Sequence, residues 1–199
     1  MEPTINQLEL GKKLLQEEQI PAAANKLSKV SEFYYETYGE TEKTADAFYW
    51  YGKSLTELSR MKAGVLGESD DYYIGETENT RIPAENPSNL QRAWEMLEMS
   101  KNIYSRMGDI PTIIRKLCDT LLALGEVNVE NENYSQAVDD FTSCLEKRKA
   151  KLPNDMREIA ESQYLLGIAL SYQGEYDEAM ESFKGVIKVL GTLQKALDR

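Results

Sequence analysis

Few residues in this chain could carry out covalent chemistry. The sequence has no histidine and two cysteines, Cys118 and Cys144, well separated from each other. Without histidine, the Cys–His and Ser–His–Asp nucleophile systems are excluded. Two separated cysteines also fall short of the usual four-ligand zinc site. The sequence shows no glycine-rich phosphate-binding loop. We therefore expect a protein that is not an enzyme and that needs no cofactor and no metal.

Carboxylates and tyrosines supply the remaining chemistry, which is the binding of basic groups. Carboxylates accept charge-assisted hydrogen bonds from Lys and Arg, and aromatic rings pack on the stems of these cations. Acids and tyrosines alternate along one face of the predicted helices, so we expect a groove that takes a basic amphipathic helix or an Arg/Lys-rich extended segment. The candidate contact residues are Glu126, Glu130, Tyr164, Asp119, Glu161, Asp46, Tyr49 and Glu57.

A recurring pair of helices must position these side chains. Four helical patterns each contain a glycine, and the glycines are 41, 73 and 42 residues apart: Gly11, Gly52, Gly125 and Gly167. In three patterns an alanine follows twelve residues later and a Leu or Phe sixteen residues later. Small residues at these places let two antiparallel helices cross closely. The pattern is that of the tetratricopeptide repeat (TPR), lengthened from its usual period of about 34 residues.

The spacing predicts an all-α TPR solenoid of four helix-turn-helix units in one domain, 1–199. The units span about 4–39, 42–107, 110–151 and 155–199. Helices are expected over about 4–17, 21–38, 42–63, 88–107, 110–131, 134–151, 155–173 and 176–199. Capping boxes are predicted for the first helix (Thr4 with Gln7) and the fourth (Ser88 with Gln91).

An acidic insert, 68–87, interrupts the second unit and breaks all helical periodicity. Its candidate binding acids are Asp70, Asp71, Glu76 and Glu78. This composition cannot bury enough apolar surface to order itself. We expect a loop that contributes negative charge and is dispensable for folding.

Composition points to the same class of ligand. The net charge is −11 and the isoelectric point about 4.7. Such a surface favours basic partners and argues against direct binding of nucleic acid or membranes. No apolar run approaches the roughly 20 residues of a membrane span, and the N-terminal residues do not resemble a signal peptide. Cys118 and Cys144 fall on apolar stripes, so we expect core thiols in a reducing compartment.

The basic stretch KRKAK contains Lys147, Arg148, Lys149 and Lys151. It could be a nuclear import signal. We favour the alternative, a solvated last helical turn whose cations complement the helix dipole. A different ligand class is easier to exclude. TPR adaptors that hold acidic chaperone tails need Lys and Asn at two groove positions of the first repeat, where this chain has Leu8 and Lys12.

Four stretches, together with the interrupted second repeat, resemble the SHNi-TPR histone chaperone family. They are YGKSLTELSRMKAGVLG (51–67), LQRAWEMLEMSKNIYSR (90–106), LGEVNVENENYSQAVDDFTSCL (124–145) and GEYDEAMESF (174–183). The resemblance implies a nuclear chaperone of histones three and four, with linker histone as a further partner. It also implies that histone three docks in the groove and against the acidic insert.

We therefore interpret the sequence as a histone chaperone that assists nucleosome assembly, present in the nucleus and in the cytoplasmic pool of free histones. The alternative is a non-histone TPR adaptor for a basic or amphipathic peptide within a larger complex. Exposed solenoid ends and the helix containing Trp94 would also allow a homodimer.

Overall fold

The computed structural model describes residues 5–66 and 88–197, and those residues form eight helices and no strand. The helices are α1 (Ile5–Gln16), α2 (Ile20–Tyr38), α3 (Glu42–Leu66), α4 (Asn89–Arg106), α5 (Pro111–Glu130), α6 (Tyr134–Lys151), α7 (Met156–Gln173) and α8 (Tyr176–Leu197). The predicted all-α TPR fold and its order of helices are confirmed. Thr4, and with it the predicted first capping box, lies outside the described residues, as do all of 68–87.

Two compact units divide the chain, one ending at Ile103 and the other beginning at Tyr104. In the first unit α2 packs on α1 and α3, and α4 packs on α3, where Ser100 Oγ donates to the Ala45 carbonyl at 2.9 Å. In the second unit α5 packs on α6, α6 on α7, and α7 on α8. The expectation of a single domain stays a prediction.

The recurring glycines lie where the helices of each pair cross. A Cβ atom built on Gly11 would lie 2.6 Å from Leu27 Cδ2, and one on Gly52 would lie 2.7 Å from Leu97 Cγ. In the second unit, Gly125 faces the Phe141 ring, and a Cβ on Gly167 would lie 2.6 Å from Phe183 Cε1. No larger residue fits at these places without a shift of the facing side chain. The predicted close crossing of the helices at the glycines is therefore confirmed in all four pairs. The side chain that faces each glycine is the Leu or Phe that was expected to fill the adjacent core.

A left-handed residue ends the first helix in three of the pairs, seven places after the crossing glycine. The residues are Glu18 (φ 58°), Glu132 (φ 56°) and Gly174 (φ 91°). Such angles suit glycine and strain other residues. The second pair differs, because α3 continues through the equivalent place to Leu66. The longer helix precedes the insert that the sequence analysis placed in this unit.

Other sequence predictions hold where the structure describes them. Pro21 lies in the first turn of α2, and Gly39 follows its end. The Ser88 side chain accepts a hydrogen bond from the Gln91 backbone N–H at 3.1 Å, which caps α4. Cys118 and Cys144 are buried, unoxidised and opposite each other, with Cys144 Sγ 3.4 Å from the Cys118 carbonyl. A hydrogen bond to Cys144, together with burial, raises the pKa of the Cys118 thiol.

Candidate functional site

Arg148 organises the acidic face of the second unit. This α6 residue is 3% exposed. Its Nη1 donates to Ser162 Oγ at 2.9 Å and to the Glu158 carbonyl, both on α7, and its Nη2 donates to Asp119 Oδ1 on α5 at 3.0 Å. Burial alone would lower the pKa of Arg148, but nearby Cys144 and the acidic groups raise it above its ordinary value. One buried cation therefore ties three helices together.

This arrangement corrects the interpretation of KRKAK as a solvated turn. Lys147, Lys149 and Lys151 are exposed, as expected, but Arg148 is buried. The helical period explains the difference, because Arg148 lies four residues after buried Cys144 on the same face of α6. An arginine can occupy such a place because its five donors can all meet oxygens of neighbouring helices.

Asp119 and Glu161, two of the predicted contact residues, meet at Arg148. Glu161 Oε2 lies 3.2 Å from Nη1, and Asp119 Oδ1 lies 3.0 Å from Nη2. Their side chains are 56% and 49% exposed, respectively. Each carboxylate is thus fixed by the buried guanidinium while part of it faces solvent. The face presents two carboxylates against one positive charge.

Glu126 and Glu130 extend this face toward the end of α5. Glu126 is half-buried, and Glu130 is exposed and is the last residue of the helix. The carbonyl end of a helix carries partial negative charge. A carboxylate at this end therefore adds to a negative potential that the helix already creates, and the combination favours a cationic ligand.

Aromatic side chains border the acids on α7. Tyr164 is 51% exposed, and its ring centroid lies 6.0 Å from that of Phe183. Tyr172, 59% exposed, stacks on Tyr134 with 5.3 Å between ring centroids. Tyr134 was not among the predicted contact residues, because the repeat pattern marks it only as the start of a second helix.

The predicted contact residues of the first unit lie on α3 in a different setting. Asp46, Tyr49 and Glu57 are all half-buried, and Glu57 pairs with Arg60 at 2.7 Å. Tyr49 packs edge-on against Trp50, with 5.2 Å between centroids. The sequence analysis missed Trp50, although its place beside Tyr49 was a usable signal.

Two lysines of the same unit lie against these rings. Lys12 Nζ is 5.4 Å from the Trp50 ring centroid. Lys53 Nζ is 5.8 Å from the Tyr49 ring and 6.0 Å from the Trp50 ring. The rings of this face already have cations from their own chain.

A cavity of about 290 Å³ opens between the start of α5 and the end of α6. Ile113, Ile114 and Leu117 of α5 make its apolar wall, and Lys147 and Lys151 of α6 line its charged rim. Lys151 Nζ also holds Asp109 at 2.6 Å.

Other classes of site find no support in residues 5–66 and 88–197. Within those ranges, no three His, Cys, Asp or Glu side chains are grouped so that they could hold a metal ion. None of the described helices is both long and apolar enough to cross a membrane. The acidic insert residues Asp70, Asp71, Glu76 and Glu78 lie outside the described part of the chain.

Comparison with family models identifies two stretches of the second unit. Residues 118–153, which include α6 and most of α5, match the SHNi-TPR model. Residues 160–189, in α7 and α8, match a tetratricopeptide repeat model.

The names of three curated relatives refer to histone binding or to nuclear autoantigenic sperm protein (NASP). The chain is 40% identical over 114 residues to "Histone-binding protein N1/N2" of Xenopus laevis, covering 57% of this chain and 19% of that protein. It is 41% identical over 102 residues to human "Nuclear autoantigenic sperm protein", covering 51% and 13%, respectively. "Protein NASP homolog 1" of Caenorhabditis elegans is 28% identical over 225 aligned positions, covering 96% and 59%. The chain thus spans about a fifth or less of the first two relatives.

Solved structures share the fold. The structure titled "Crystal structure of MamA" matches with a TM-score of 0.61 and 17% identity, over 97% of this chain and 81% of that one. The yeast histone chaperone Hif1 matches with a TM-score of 0.67 and 12% identity, over 96% and 85%. These solved structures show the fold alone. The family-model match and the curated relatives confirm the predicted resemblance to the SHNi-TPR family and extend it to nuclear autoantigenic sperm protein.

Proposed function

We propose that this chain is a histone chaperone that binds free histones three and four and assists nucleosome assembly. The observation that carries the proposal is the 40% identity to a protein named for histone binding, together with the SHNi-TPR match over 118–153. That matched stretch includes Asp119, Glu126, Glu130 and Arg148. The relatives' names also support a histone-binding protein rather than an enzyme, and a nuclear location. Linker histone is proposed as a further partner.

The second unit offers a face suited to a basic ligand. Asp119 and Glu161 are held in place by Arg148, so little side-chain entropy remains to be lost when they accept a hydrogen bond. An arginine of the histone can make paired hydrogen bonds to a carboxylate. Tyr164 and the Tyr134–Tyr172 stack can pack on the aliphatic stem of a bound Lys or Arg.

The mechanism is stoichiometric. Carboxylates of the chaperone cover basic histone surface that would otherwise bind DNA non-specifically or aggregate. The acid–base contacts are solvent-exposed and weakened by salt, so the histone can be handed to DNA, whose phosphate charge is denser. No turnover and no cofactor are needed.

The first unit has a different part in this proposal. Asp46 and Glu57 add negative charge, and Tyr49 adds aromatic surface. A histone side chain that stacks there competes with Lys12 and Lys53, which already lie against Tyr49 and Trp50. We therefore expect the first unit to contribute less affinity than the second. The insert acids Asp70, Asp71, Glu76 and Glu78 are proposed as further histone contacts.

The direct test is a titration of fluorescently labelled histone three–four complex with the 199-residue chain, followed by competition with DNA. The proposal expects saturable binding that weakens as salt increases, and soluble complexes where histones and DNA alone precipitate. A basic peptide of matched charge is the control. Equal affinity for this peptide and for the histones would instead favour a general adaptor for basic segments, and absence of binding to either would refute the proposal.

A further inference from the structure

Two buried thiols face each other where α5 crosses α6. Cys118 and Cys144 are both fully buried. Cys144 Sγ lies 3.4 Å from the Cys118 carbonyl oxygen, and Cys118 Sγ lies 3.8 Å from the Cys144 carbonyl oxygen. Because each sulfur reaches the backbone of the other cysteine, both sulfurs occupy the same narrow gap between the helices. The proposed histone binding makes no use of either nucleophile.

The preceding helix pair shows a close crossing at the same place of the repeat. Cys118 and Cys144 each lie seven residues outside the small residues of their crossing, and Ala45 and Ser100 hold the same places in the α3–α4 pair. There, Ser100 Oγ reaches the Ala45 carbonyl at 2.9 Å. In both pairs, a short side chain of one helix thus touches the backbone of the other. The α5–α6 pair has a thiol on each helix at this place.

Polar neighbours make Cys144 the more nucleophilic of the two thiols. Its Sγ lies 3.5 Å from Ser162 Oγ, and Arg148 follows one helical turn later on the same face. A hydrogen bond from Cys118 and the positive charge of Arg148 lower the pKa of the Cys144 thiol, although burial opposes them. The hydrogen bond to Cys144 raises the pKa of Cys118. Since the thiolate is the reactive form of cysteine, we expect Cys144 to react first.

We propose that Cys118 and Cys144 are a site of reversible oxidation by hydrogen peroxide, which joins α5 to α6 through a disulfide. The Cys144 thiolate attacks one peroxide oxygen, the O–O bond breaks, and the leaving hydroxide takes up a proton to become water. The Cys118 thiol then loses its proton and attacks the sulfur of the sulfenic acid. The S–O bond breaks, and a second water leaves with that proton. Two thiols and one peroxide thus give one disulfide and two waters.

Burial of the pair determines how it responds to an oxidant. Hydrogen peroxide is scarcely larger than water, so a brief local opening of the crossing admits it. The gap that holds both sulfurs then favours attack by the second thiol over attack by a second peroxide, which would carry Cys144 on to sulfinic acid. In a reducing compartment the bond is transient, as cytosolic disulfides usually are. This inference does not depend on the proposed histone binding.

Mass spectrometry of the 199-residue chain after peroxide treatment tests the site. Trypsin releases both cysteines in one peptide, 117–147, which contains no methionine. We expect this peptide to become lighter by two hydrogen atoms and to regain them on reduction, while the chain stays monomeric on a non-reducing gel. Oxidation of Met180, which is 49% exposed, measures the extent of treatment. Persistence of both thiols once Met180 is fully oxidised, or a disulfide between two chains instead, would overturn the proposal.

Two single variants test the roles of the two thiols. Cys118→Ser keeps a short donor against the Cys144 carbonyl, as Ser100 does against Ala45, so its helical circular dichroism should match the wild type. Its remaining thiol should still be oxidised, and peptide 117–147 should gain oxygen instead of losing hydrogen. In Cys144→Ser, the remaining thiol should react at least about tenfold more slowly. Equal rates in the two variants would contradict the roles assigned to the thiols.

The disulfide should also hold the two helices together. A bond that closes a loop of this length commonly stabilises a folded protein, so the thermal midpoint of the oxidised wild type should be about 5 °C or more above that of the reduced protein. Peroxide-treated Cys118→Ser is the matched control, since its methionines are oxidised in the same way. An unchanged or lower midpoint in the wild type, relative to this control, would show that the folded α5–α6 crossing does not accommodate the bond.

Discussion

Both compact units present acids and aromatic rings, on α3 in the first unit and on α5 and α7 in the second. The charges around these side chains are arranged in opposite ways. In the first unit, the Tyr49 and Trp50 rings lie beside Lys12 and Lys53. In the second unit, Asp119 and Glu161 surround the buried cation Arg148. In the first unit, lysines of the same chain already cover part of the aromatic surface. In the second unit, a buried cation holds two carboxylates at the protein surface.

This difference shows that counting acids and tyrosines along a helical face does not by itself locate a binding site. The partners underneath decide what each side chain can offer. A fixed, half-exposed carboxylate can receive a histone cation without rearrangement, whereas a ring that already has a lysine must first lose it. The second unit is therefore the stronger candidate.

The largest expected effect comes from removing the buried cation. Arg148→Met should destabilise the protein by about 2–3 kcal/mol, because Ser162 and the Glu158 carbonyl lose a buried donor and two carboxylates lose their counter-charge. Urea unfolding measures the change. Lys149→Met is the matched control, since it removes the same charge from an exposed position on the same helix. Equal destabilisation by both variants would mean that Arg148 does not organise this face.

A second pair of variants tests helix crossing in the second unit. Gly125→Ala should destabilise by about 2 kcal/mol, because its Cβ would overlap the Phe141 ring. Gly191→Ala should stabilise by about 0.5–1 kcal/mol, since nothing lies within 4 Å of its Cβ position and alanine favours a helix. Thermal unfolding followed by circular dichroism measures both, and the account fails here if the two changes have the same sign.

Most of the fold could be predicted from the sequence because its signals are local. Helical periodicity, the crossing glycines and Pro21 fixed the helices to within a few residues. The left-handed places at Glu18 and Glu132 could not be predicted from residue type, since glutamate does not favour them. The left-handed conformation at these places follows from the turn that the packed helices require. Of the three residues, only Gly174 could have been recognised from its residue type.

The candidate site could be predicted only in part. The repeat phase placed Asp119 and Glu161 on a common surface, but it could not reveal that Arg148 joins them. That cluster needs three helices, and its members are 29 and 13 residues from Arg148 along the chain. A run of basic residues at a helix end usually means solvated charge, and a single helical turn decides which member of the run is buried.

The third prediction is a gain in histone affinity. Replacing Lys12 and Lys53 by Met should strengthen histone binding about two- to fivefold, because it frees the Tyr49 and Trp50 rings and removes positive charge near a basic ligand. Lys13→Met with Lys26→Met is the control, with the same change in net charge in the same unit. An equal gain for both pairs would mean that only bulk charge matters, and weaker binding would show that these lysines assist the ligand.

The smallest expected effect concerns acid stability. Hydrogen bonding to Arg115 lowers the pKa of Asp155 below its ordinary value of about 3.9. The pair therefore stabilises the folded state above about pH 4, and this contribution is lost as pH falls through the lowered pKa. Asp155→Asn should be slightly less stable than the wild type at neutral pH, and the gap should close in strong acid. Arg115→Gln should behave in the same way, and a gap that is constant with pH would contradict the assignment.

The central claim is that acids on α5 in the second unit bind the histone. Charge reversal at Glu126 and Glu130 replaces attraction by repulsion, and each lost charge-assisted contact is worth about 1.5–3 kcal/mol. Reversal of Asp139 and Glu146, which are exposed on α6, makes the same change in net charge away from the proposed face. Histone three–four titrations at two salt concentrations, with circular dichroism as a folding control, compare the two double Lys variants. The account predicts at least tenfold weaker binding for the α5 variant and little change for the α6 variant, and equal weakening of the two would contradict it.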